Sequence, residues 1–93
     1  MASIRDSKKT VNYLVSEVIG ESLAQMGAIS DLSKEAEFEK IIGEAIVLRS
    51  QLFDKIKVAK GEQDKKAAFK AIEKELIEQV DKLFERLFET AKA

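Results

Sequence analysis

Apolar residues recur every three or four positions along three stretches of this chain, the spacing that lines one face of an α-helix. The first stretch carries Val11, Leu14, Val15, Val18, Ile19 and Met26, with Ser22 on the same side, and predicts a helix over 8–26. The second carries Phe38, Ile41, Ile42, Ala45, Ile46, Leu48, Leu52, Phe53, Ile56 and Ala59, and predicts a helix over 34–60. The third carries Phe69, Ile72, Leu76, Ile77, Val80, Leu83, Phe84, Leu87, Phe88 and Ala91, and predicts a helix over 63–91. No period-two alternation is long enough to compete as a strand.

The segments between these stretches read as turns. Gly27 suits the left-handed residue that closes a helix, with Ile29 supplying the contact that often follows. Asp6 or Ser7 suits the N-cap of the first helix and Ser33 that of the second, while Gly61 ends the second. Residues 1–7 precede the first periodicity and are expected to be loosely packed. Glu62/Lys66 and Glu78/Lys82 have the spacing of favourable helical ion pairs.

Two long helices joined at Gly61 must fold back on each other, which makes the expected fold an all-α antiparallel three-helix bundle, one domain over 1–93. The first helix is the short one, roughly 30 Å against about 40 Å for the others. It runs out near the level of Arg49, leaving Phe53, Ile56 and Phe69 as a candidate association surface and a reason to dimerise. The alternative cover is the chain's own residues 1–7, with Ile4 as the plug.

Arg49 interrupts the apolar face of the second helix, and Glu73 that of the third. Arg49 lies twelve residues before Gly61 and Glu73 twelve after, so the two are expected to meet as a buried ion pair. A pair of this kind sets register more than it adds stability, because burial costs both ions their hydration. A second reading makes Arg49 and Glu73 the anchors of an anionic or zwitterionic small ligand.

Other polar groups are weighed the same way. Glu17, Glu21 and Glu44 offer three carboxylates to a hard cation, but a solvated helix edge explains them with fewer assumptions. Asp81, Glu85 and Glu89 form an acidic stripe, again a solvated face before a partner's footprint. Tyr13, Gly20 and Ala24 share the back of the first helix, where small residues admit a second helix closely. Lys55, Lys57, Lys60, Lys65, Lys66 and Lys70 gather at the Gly61 turn, diluted by Asp54, Glu62 and Asp64.

Composition narrows the function classes. The 93 residues carry 16 basic and 17 acidic side chains, a balance that does not favour nucleic acid. Cysteine, histidine and proline are absent. Thiol chemistry, imidazole general bases and the Glu-x-x-His metal motif of helical bundles are therefore excluded. No residue is assigned to catalysis, to a cofactor or to a metal, and no enzyme is expected. The opening MASIRDSKKT lacks the apolar core of a signal peptide, and no apolar run approaches a membrane span. The absence of cysteine fits a reducing compartment.

Three segments carry a resemblance: the one from Lys8 to Ile19, the Leu48-Arg49-Ser50-Gln51-Leu52-Phe53 stretch, and the one from Val80 to Leu87. Together they resemble small all-helical proteins of uncharacterised function from gut Bacteroides-like bacteria. The resemblance implies a cytoplasmic bacterial protein and brings no catalytic residues with it. The leading expectation is a non-enzymatic bundle that associates with itself, as a homodimer, or with another protein. The alternatives are a small-ligand module built on Arg49 and Glu73, and weak nucleic-acid association through the basic turn.

Overall fold

In a computed structural model describing residues 4–92, the chain is an all-α bundle of three helices, with no strand among those residues. The helices are α1 (Ile4–Ala28), α2 (Leu32–Ala59) and α3 (Lys65–Lys92). The bundle is elongated, about 50 × 17 × 16 Å.

The first helix is longer than the periodicity predicts. Residues 4–7 are helical rather than frayed, and α1 reaches 25 residues against 28 for each of the others. Asp6 therefore sits inside the first turn instead of capping it, and its carbonyl accepts a hydrogen bond from the Thr10 hydroxyl at 3.0 Å. Polar residues without apolar periodicity, as in 5–10, leave no trace in a pattern search, yet nothing in them forbids a helix. Residues 1–3 and the side chain of Ile4 lie outside the described part, and with them the expected plug.

Caps and links also differ from expectation. Asp31, not Ser33, caps α2: its carboxylate accepts from the Ser33 amide at 2.9 Å, the Lys34 amide at 3.5 Å and the Ser33 hydroxyl at 2.7 Å. These bonds hold the Asp31 carboxyl below its ordinary pKa, the Ser33 hydroxyl first among them. Asp64 plays the same part for α3, accepting from the Ala67 amide at 3.1 Å. Neither Gly27 nor Gly61 adopts a left-handed conformation; Gly27 lies within α1, and α2 closes through tight bonds from Gly61 to Val58 and from Glu62 to Ala59. Orphan carbonyls at a helix end need only some donor, and a tightened last turn supplies it as well as a left-handed glycine does.

The core follows the predicted faces. α1 buries Val11, Val15, Val18 and Ser22; α2 buries Phe38, Ile41, Ala45, Leu48, Leu52, Ile56 and Ala59; α3 buries Ile72, Leu76, Val80, Leu83 and Leu87. Successive buried positions are three or four residues apart, which keeps one seam per helix turned inward. The core side of α1 is built of valines and Ser22, that of α2 mostly of larger side chains, and each sealed valine contributes on the order of 1.5 kcal/mol. Among the described residues the one buried polar side chain, Ser22, donates to the Val18 carbonyl at 2.8 Å and is satisfied within its own helix. Three residues of the predicted faces, Ile46, Ile77 and Phe88, are instead exposed.

Candidate functional site

Arg49 and Glu73 do not form the expected buried pair. Arg49 is half-buried and Glu73 exposed. The ion pairs between described side chains are Lys55–Glu75 at 2.5 Å, Arg86–Glu37 at 2.9 Å and Arg86–Glu44 at 2.8 Å. Equal distance from Gly61 bears on height alone, and height is only one coordinate of a residue on a helix. Lys55 and Glu44 mark the side of α2 that meets α3, and Arg49 is turned roughly 120° from Lys55 at 100° per residue. Glu73 is turned away as well: it lines a cavity between α3 and α1, together with Ser7, Thr10 and Val11. Arg49 and Glu73 therefore do not face each other.

That cavity measures about 70 Å³ and is completed by Phe69, Ile72 and Leu76. It has room for a few waters and falls well short of the several hundred cubic ångströms usual for an organic ligand. Arg49 does not line it, so the two proposed anchors of a zwitterion do not share a pocket.

The predicted association surface is mostly closed. Ile56 is fully buried, and Phe53 and Phe69 are half-buried against the core. Ser7, Thr10 and Val11 of α1 reach the level of Phe69, and of these only Ser7 belongs to the added N-terminal turn.

The other polar clusters are taken up locally. Glu44 pairs with Arg86, and Glu21 accepts from the Gln25 amide at 3.2 Å, so the three carboxylates do not converge. Hydrogen bonding to Glu17, and the charge of its carboxylate, raise the pKa of the Tyr13 hydroxyl. Gly20 and Ala24 are exposed, with nothing within 4 Å of a methyl placed at Gly20. At the 60–64 link Lys55 is paired, while Lys57, Lys60, Lys65, Lys66 and Lys70 are exposed.

Two features were not singled out in the sequence. Arg86 bridges to two α2 carboxylates, and bonding to Glu37 and then Glu44 raises its pKa. The available signal was that Glu37 and Glu44 lie seven residues apart on one helix edge, with one arginine at matching height on α3. The second feature is an apolar stripe left open on α3. Ile77 is 48% and Phe88 51% exposed, and the Phe84 and Phe88 rings stack with centroids 5.8 Å apart and planes 18° from parallel. Stripe and core are indistinguishable in the sequence, because both obey the same periodicity.

No known family, curated protein or solved structure matches the chain. Among the described residues, no helix is long and apolar enough to cross a membrane.

Proposed function

We propose that this chain is a non-enzymatic, antiparallel helical bundle that works by association, with a second copy of itself before any other partner. The antiparallel arrangement is supported by the ion pairs: the end of α2 reaches the first half of α3 through Lys55–Glu75, and its start reaches the last turns of α3 through Glu37, Glu44 and Arg86. Association is supported by one observation above the rest: the core is sealed, yet Ile77 and Phe88 of α3 stay about half exposed in line with it. Scattered single apolar residues are normal on a surface; an aligned aromatic stripe has a cost in water that a partner removes.

Sedimentation equilibrium of the full chain over a concentration series tests the reading. The expected result is a reversible monomer–dimer equilibrium. A single monomeric species throughout the series would remove self-association.

A further inference from the structure

The surface of α3 and the distribution of charge over the bundle are complementary to a second copy in one orientation only. Divide each helix at its midpoint. The end that carries the 60–64 link, residues 4–15 and 46–78, holds eleven basic and seven acidic side chains. The opposite end, residues 16–45 and 79–92, holds five basic and ten acidic ones. A chain whose net charge is -1 is thus +4 at one end and -5 at the other.

The same polarity runs along the open stripe. At 100° per residue Ile77, Phe84 and Phe88 fall within roughly 40° of one another. Exposed Lys70 and Lys74 flank the stripe towards the basic end, and exposed Asp81 and Glu85 flank it towards the acidic end. Two copies packed stripe to stripe in the same direction would set like charges side by side along their length. Packed in opposite directions with Lys74 of one copy level with Glu85 of the other, Ile77 of each copy lies within about two residues of the height of the other's Phe84, and Phe88 lies beyond them over the other's Ala71.

From this polarity we infer that two copies of the chain associate α3 against α3 in opposite directions through Ile77, Phe84 and Phe88, the basic end of each beside the acidic end of the other. The inference rests on the self-association proposed above and adds its surface and its orientation. It moves the contact away from Phe53, Ile56 and Phe69. Opposed ends attract through solvent, so the association weakens as salt rises.

Ile77→Glu and Phe88→Glu test the surface. Both positions are half exposed, so the monomer keeps its helix content by circular dichroism while dimer dissociation rises on the order of tenfold or more, as expected when a charge is buried without a partner. The chain lacks cysteine, which makes orientation directly readable. Mixing Lys74→Cys with Glu85→Cys chains under mild oxidation is expected to give the mixed disulfide in preference to either homodimer. Unchanged dimerisation in both glutamate variants would overturn this surface while leaving self-association standing. Preferential Lys74→Cys homodimers would overturn the opposed orientation. A wild-type chain that sediments only as monomer would remove both proposals.

Discussion

A methyl group added at Gly20 or Gly43 meets nothing within 4 Å, and neither glycine has positive φ. Both lie inside helices, where glycine is worse than alanine by about 1 kcal/mol. Gly20→Ala and Gly43→Ala are each expected to raise stability by roughly that amount in urea titration. A Gly20→Ala variant that is more stable but associates less would place a contact on the back of α1, where Tyr13 and Ala24 are also exposed. Asp31 carries a second prediction. Its carboxylate caps α2, so Asp31→Ala is expected to lower Tm at neutral pH by several degrees, while Asp31→Asn keeps most of the cap. The folded-state pKa of Asp31 lies below the unfolded one, so its contribution is present above the ordinary aspartate range and lost as pH falls through the depressed folded value. The gap between wild type and Asp31→Ala is expected to begin narrowing below about pH 4 and to go on narrowing as the pH of the thermal melts falls further. Arg49 gives the third. With no ion pair to Glu73, Arg49→Met is expected to change stability by no more than about 0.5 kcal/mol, where a buried pair would lose several.

At the scale of helices, α2 and α3 are tied by Arg86 near one end and Lys55 near the other. Arg86 is about one-third exposed, as are its partners or more so, and solvent discounts each bond accordingly. Arg86→Ala is expected to cost about 1 kcal/mol, and the double-mutant cycle with Glu44→Ala to show a coupling of roughly 0.5 kcal/mol that shrinks in high salt. The same two helices show how far a pattern can be read. The apolar spacing located all three helices and nearly every buried residue, because burial of one face is a local consequence of period. It did not locate the start of α1, because residues 5–10 have no apolar face to announce a helix they nevertheless join.

Taken whole, the bundle is a charge-polarised rod with an open apolar stripe. If association buries that stripe, folding and dimerisation are linked, and Tm rises with protein concentration. The expected outcome is a wild-type Tm that increases over a hundredfold concentration range at low salt, flattened in Ile77→Glu. Charge balance over the sequence hid this polarity: -1 overall is a statement about a sum, and the two ends become visible only when the helices are laid side by side.

Sequence alone determined that there are three helices, where the main links fall, and which side of each helix is apolar, because those follow from periodicity and from residues a few positions apart. It also set Arg49 and Glu73 equally far along the chain from Gly61. The tertiary structure decided what faces what. Rotation about each helix axis, set by packing all three together, turned Glu73 towards α1 and brought Arg86 to Glu37 and Glu44. It also sorted one continuous apolar pattern on α3 into a buried seam and an open stripe, since a third helix covers only part of the arc that the pattern marks.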